Sequence, residues 1–194
     1  MARGPRYRVP YRRRREAKTD YRVRRIMATS GKNRFVVRSS NKNITIQLIT
    51  SKIEGDIVHT QANSSELEEF GWLGGKKNTS AAYLLGLLAG RKALSLGIGA
   101  AILDLGLTRP TKGSKIFAAV KGALDAGLAI PCDSDIIPEL GRIEGRSVSE
   151  YAASFEDQSE FKRVFSGYLK KGLNPQDLSR HFETVKVGIM EASV

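Results

Sequence analysis

"RFVVRSSNKNITIQLIT", residues 34–50, decides the fold. Ile44, Ile46 and Leu48 alternate with Thr45 and Gln47, the period-two pattern of a strand with one buried face. The run before it, Arg34–Ser39, is rich in β-branched and aromatic residues, and "SNKN" (40–43) between them has turn composition. A third run, 56–62, follows the second turn, "KIEGD" (52–56). The spacing predicts an antiparallel meander of three strands over 34–39, 44–50 and 56–62.

Working outward, Asn78 is placed to cap a helix over 79–96, apolar nearly all round and so expected to be buried. "IGAAILDLG" (98–106) lacks alternation and reads as a central strand covered on both faces. Residues 114–126 predict a second helix, with Ile116, Phe117, Val120 and Leu124 on its apolar side. The expected class is α/β: a mixed sheet, the meander plus a further central strand, sandwiched by helices. Beyond "IPCDSDIIPELGRIEGRS" the pattern turns helical. Asp157–Leu169 carries an apolar stripe, and Asn174-Pro175 opens another helix with Leu178, Phe182, Val185 and Ile189 on one face. The expected organisation is a basic N-terminal arm and helix (1–30), an α/β core (31–131) and a C-terminal helical extension (132–194).

The net charge of +12 is localised. Residues 1–42 hold fifteen Lys and Arg against Glu16 and Asp20, a balance of +13, so the other residues sum to −1. Such asymmetry marks a polyanion-binding arm on a near-neutral body. Pro5 and Pro10 keep the start extended. A helix is expected from Tyr11 to Met27, with Val23, Ile26 and Met27 as a seam that docks it and Gly31 ending it. No apolar run reaches the length of a membrane span, and charge at the N-terminus without an apolar stretch argues against a secretory signal. The single cysteine, Cys132, suits a reducing cytoplasmic setting.

Patterns that suggest catalysis do not hold up. "GIGAAI" (97–102) lacks the third glycine of a dinucleotide fingerprint and leads into a strand instead of following one. In "GWLGGKKNTS" (71–80) Gly75-Lys76 is followed by Lys77, not Ser or Thr, which leaves a flexible basic loop before a capped helix. His59, His181 and Cys132 have no zinc-site spacing. Among Asp104, Asp125, Asp133 and Asp135, only Asp104 stands near a strand end, where α/β folds place sites. An enzyme acting on nucleic acid needs acids converging there, and no cofactor is expected.

The arm has the chemistry of RNA recognition. Arginine forks match phosphate oxygens and stack on bases, and tyrosines interleave with them, as in recognition of unpaired RNA. The candidates are Arg3, Arg6, Tyr7, Arg8, Tyr11, Arg12, Arg13, Arg14, Arg15, Lys18, Tyr21, Arg22, Arg24 and Arg25. Lys32, Arg34, Arg38, Ser40, Asn41, Lys42 and Asn43 extend the set onto the first hairpin, and Lys76 and Lys77 add the basic loop. If ~6 of the arm's basic residues meet phosphates, affinity falls ~10³-fold between ~50 and ~200 mM salt.

"RRRREAKTDYRVR", "SGKNRFVVRSSNKNITIQ", "GWLGGKKNTSAAYLLGLLAGRKAL", "AILDLGLTRPTKGSKIFAAVKGALDAGLAIP" and "EYA" occur in that order. Over about residues 5–153 the chain closely resembles ribosomal protein eighteen of the large subunit, in its archaeal form, a relative of the eukaryotic large-subunit protein five. The resemblance implies a non-enzymatic protein that binds 5S rRNA and lodges it in the central protuberance. It also implies contacts with large-subunit rRNA and neighbouring ribosomal proteins. By position it assigns RNA contacts to Arg12, Arg13, Arg14, Arg15, Lys18, Thr19, Tyr21, Arg34, Arg38, Ser40, Asn41 and Lys42. Two positions depart from the family pattern: Ala17, commonly glycine, and Asn43, often His or aromatic.

Overall fold

The computed structural model describes residues 4–192; Arg3 lies outside them. The meander forms as the alternation requires: β1 (Arg34–Ser39), β2 (Ile44–Ser51) and β3 (Asp56–Asn63), each antiparallel to the next. Phe35 pairs with Leu48 and Val37 with Ile46, which puts the apolar set on one face. Arg34, Val36 and Arg38 necessarily point the other way. The first turn is closed by Ser40, whose Oγ donates to the Asn43 carbonyl (2.9 Å) and accepts from the Asn43 N–H (3.0 Å).

The fourth strand corrects the expectation drawn from residues 98–106. Only Ile102–Asp104 (β4) is a strand, and it runs parallel to β1 at the edge of the order β3-β2-β1-β4. A single parallel bridge, Ala100 to Ala129, extends that edge. The apolar run reflects contact of Ala101, Ile98, Leu103 and Leu105 with the core, not enclosure between two strands. The mixed sheet stands; its parallel strand is peripheral.

Helices α3 (Thr79–Ser95) and α4 (Lys115–Asp125) cover the apolar face. Asn78 caps α3, its Oδ1 accepting the Ala81 N–H at 2.7 Å. The two helices approach until backbone meets backbone. A Cβ built on Gly86 would lie 1.9 Å from the Ala119 carbonyl oxygen, and one on Gly122 would lie 2.1 Å from that of Tyr83. Glycine at both positions is therefore a packing requirement. Trp72, fully buried, closes the core beside them and donates from Nε1 to the Gly75 carbonyl (3.2 Å).

The C-terminal segment folds as α5 (Leu140–Glu144), α6 (Arg146–Ala153), α7 (Gln158–Val164), α8 (Ser166–Leu169) and α9 (Leu178–Glu191). Leu178, Phe182, Val185 and Ile189 are buried as their spacing predicts and join the same core as the sheet. The helix expected across Asp157–Leu169 is broken at Phe165 (φ −98°, ψ 17°). The break turns Phe165 into a cluster with Tyr151, Phe155, Phe161 and Tyr168, at ring separations of 5.2–6.2 Å.

Candidate nucleic-acid interface

The arm reaches the sheet through its residues 21–29, which contact β2. A single helix from Tyr11 to Met27 is not what forms. One turn, α1 (Arg12–Arg15), ends at Glu16, and α2 (Tyr21–Thr29) starts afresh. The break has two local causes. Asp20 caps α2 by accepting the N–H groups of Arg22 (2.9 Å) and Val23 (3.3 Å). Ala17 takes φ 51°, a left-handed conformation, while the Ala17 N–H bonds to Arg14 C=O (3.1 Å) and the Lys18 N–H to Arg13 C=O (2.8 Å). That pair of bonds is the Schellman helix stop, which favours glycine at the left-handed position. A glycine at this position would take the left-handed conformation without strain, and Ala17 holds the same geometry at a steric cost.

The apolar seam is in part a second correction: Val23 is 42% exposed and Ile26 63% exposed, and Met27 alone of the three is half-buried. Ionic contact holds the arm where burial was expected to. Arg24 on α2 meets Asp56 of β3 at 2.8 Å, and the same carboxylate oxygen lies 2.8 Å from Arg34 Nη2. Arg34 Nη1 reaches Asp104 Oδ2 (3.0 Å), and Asp104 Oδ1 accepts from Arg38 Nη2 (2.8 Å) and the Gly106 N–H (2.8 Å). The register explains this cluster. Asp104 pairs with Val36 on β1 and so sits between Arg34 and Arg38, two residues either side. Gly106 leaves room for it, since a Cβ there would come within 2.9 Å of the Arg38 guanidinium.

Arg13, Lys18, Thr19, Arg24, Arg34 and Arg38 are thereby gathered around one small cleft, with Asp20 and Asp104 in its wall. Arg13 Nε donates to Thr19 Oγ1 (2.9 Å), bridging α1 to the start of α2. Glu16 pairs with Arg12 (3.4 Å) and Lys18 (3.0 Å), and Tyr11 packs on Tyr21 at 5.0 Å. Arg6, Tyr7, Arg8, Arg14, Arg15, Arg22 and Arg25 are exposed.

The candidates do not all present themselves alike. Arg34 is 3% exposed, and its guanidinium is held by two carboxylates. It braces the face from beneath and reaches phosphate only by breaking both pairs. Arg38 shares Asp104 but stays about half exposed. Ser40 spends its hydroxyl on the turn, while Asn41 and Lys42 are exposed at the tip beside half-buried Asn43. Lys32 stands at the opposite end of β1 from that tip, so the hairpin residues are not one cluster. Lys76 pairs with Glu68 (3.0 Å) in the helical layer, with Lys77 next to it close enough to Lys115 to help burial lower that amine's pKa.

The sequence missed Asp56. An acid in a turn carries no signal of its own, and only the pairing of β3 brings it to Arg34. Burial by itself would raise the Asp56 pKa, but the adjacent Arg34 guanidinium and hydrogen bonds from Arg24 and Ser51 outweigh that and leave it lowered. Asp104, the one acid at a strand end, is saturated by guanidinium groups, an environment that competes with a cation instead of recruiting one. Among the described residues no group of three His, Cys, Asp or Glu gathers. Burial, with Asp133 beside it, raises the Cys132 thiol, the opposite of nucleophile activation. His59 contacts Thr50 Oγ1 (2.7 Å), and His181 Nε2 accepts the Leu73 N–H (3.1 Å). Both histidines are occupied in structural contacts. Among the described residues no helix is long and apolar enough to cross a membrane.

With this geometry in place, similarity to known proteins is informative. Residues 5–98 and 97–133 match the family model for "Ribosomal large subunit proteins 60S L5, and 50S L18". The large ribosomal subunit protein uL18 of Caldivirga maquilingensis is 52% identical over 98% of this chain and 94% of its own length. That of Thermofilum pendens is 50% identical over 99% of both chains, and that of Methanothermobacter thermautotrophicus 48% identical over 98% of this chain and 99% of its own. Arm, sheet and C-terminal helices are all included in these matches: the chain belongs to the uL18 family of large-subunit ribosomal proteins, in its archaeal form, a structural and non-enzymatic family.

Proposed function

We propose that this protein binds 5S rRNA through the arm face and seats it in the central protuberance of the large subunit, in the cytoplasmic ribosome. Large-subunit rRNA and neighbouring ribosomal proteins complete the site. The observation that carries the reading is the exposed run Arg12–Arg15, projecting from a turn whose geometry is fixed by Ala17, Thr19 and Asp20. A preorganised guanidinium array loses less conformational freedom on meeting phosphates than a loose basic tail does. Tyr7 and Tyr11, both exposed, add faces on which unpaired bases stack.

Arg38, Asn41 and Lys42 widen the surface towards the hairpin tip. Lys32, Lys76 and Lys77 lie away from it and suit a different RNA segment. The test is filter binding of 5S rRNA to the full chain and to a variant with all four residues of Arg12–Arg15 changed to Ala. The variant is expected to bind ~10³-fold more weakly, with a log–log salt slope shallower by about three units. Retention of wild-type affinity and slope would remove the reading. Lys170→Ala, an exposed charge on the far helices, is the control expected to change neither.

A further inference from the structure

Five charged side chains of alternating sign run from the arm to the sheet edge: Arg24, Asp56, Arg34, Asp104 and Arg38. Asp56 is the link between the arm and the sheet. Its Oδ2 takes Arg24 from α2 and Arg34 from β1, and Ser51 Oγ donates to its Oδ1 at 3.0 Å, so the carboxylate cannot swing away. The apolar contribution on α2 is small: Val23 and Ile26 are exposed, and Tyr21, Met27 and Ala28 are only half-buried. A carboxylate beside a surface that meets RNA is an electrostatic liability, since it repels phosphate. Its position here has a different value.

We propose that Asp56 is a positioning residue for RNA binding: it locks α2 to the sheet, and with it the orientation of the Arg12–Arg15 turn, at the expense of local repulsion. This rests on the RNA-binding reading above. Charge and positioning predict opposite signs for one substitution. On charge alone, Asp56→Asn removes a repulsive group and tightens binding by about twofold. On positioning, the same change frees α2, and the fraction of molecules with a correctly presented arm falls. Affinity then drops by about fivefold or more.

The experiment pairs 5S rRNA binding with hydrogen exchange of the free protein. Asp56→Asn is expected to weaken binding, to speed exchange in Tyr21–Thr29, and to leave β1 and β2 protected. Glu54→Gln, which removes an exposed acid from the same turn without touching the chain of ion pairs, is expected to bind as tightly as wild type or more tightly. Asp56→Glu restores the carboxylate and part of the affinity. Binding of Asp56→Asn at or above the wild-type level, with the sheet protected, overturns the proposal. If that variant loses sheet protection because Arg34 keeps only one of its two carboxylates, Arg24→Met decides. It cuts the arm's side of the contact on an exposed residue, and unchanged exchange in α2 then refutes the lock. Salt-dependent binding by the wild-type chain is read in the same assay, so failure of the RNA reading is visible separately.

Discussion

Replacing Ala17 by glycine tests the arm's geometry most directly. Ala17 sits at φ 51° with Schellman bonds of 3.1 and 2.8 Å on either side, and its side chain is exposed. A left-handed conformation costs an L-residue roughly 1–2 kcal/mol, which glycine avoids. Glycine gives back roughly 0.5–1 kcal/mol through its greater freedom when the turn is unformed. The net gain in the arm's ordered state is therefore about 0.5–1 kcal/mol. A helix of one turn is marginal alone in water, so little of that gain is masked by an already complete population. Ala17→Gly is then expected to bind 5S rRNA about two- to fivefold more tightly, with no change in the melting temperature, since Ala17 touches no core residue. Ala17→Val, whose branched Cβ suits this conformation worse, moves affinity the other way. Titrating the three proteins against 5S rRNA at one salt concentration reads both effects. Equal or weaker binding by Ala17→Gly, or no loss with Ala17→Val, refutes the argument that this turn presents the arginines.

Other consequences are as direct. Gly86→Ala places a methyl group on the Ala119 carbonyl and is expected to cost about 3 kcal/mol or more, whereas Gly188→Ala, with nothing near its Cβ in mid-helix, gains roughly 0.5–1 kcal/mol; chemical unfolding measures both. Arg14→Ala flattens the salt slope of RNA binding by about 0.7–0.9; Arg34→Ala leaves the slope nearly unchanged and lowers stability, because it strips Asp104 and Asp56 of a buried partner. Burial lowers the His181 pKa, and the neutral ring accepts the Leu73 N–H. This contribution is complete above the unfolded pKa of about 6.5 and is lost as pH falls through the lower folded value. Thermal unfolding should therefore show a drop below about pH 6.5 that His181→Gln removes; a variant with the same pH profile as wild type would contradict it.

Periodicity alone placed the meander, the two central helices and the Leu178–Ile189 stripe, because a half-buried strand and a half-buried helix impose different repeats on neighbouring residues. Charge counting located the basic end for a similar reason: net charge is additive and needs no coordinates. The arm's break at Ala17 was beyond that reading, since alanine is the best helix former by propensity and only the Asp20 cap and the backbone stop overrule it. So was the edge position of β4. An apolar run says that a segment is buried, not which neighbour buries it. Hardest to see in advance was the division of labour among the arginines. Arg34 and Arg38 are equivalent as letters two residues apart, yet Asp56 and Asp104, distant in the chain, sequester the first and leave the second half exposed. Strand register brings those acids within 3 Å of their partners, and register is a property of the tertiary structure. The sequence determined that the excess positive charge of this protein lies at its N-terminal end. Pairing across the sheet decided which of those cations stay exposed and which are held by carboxylates.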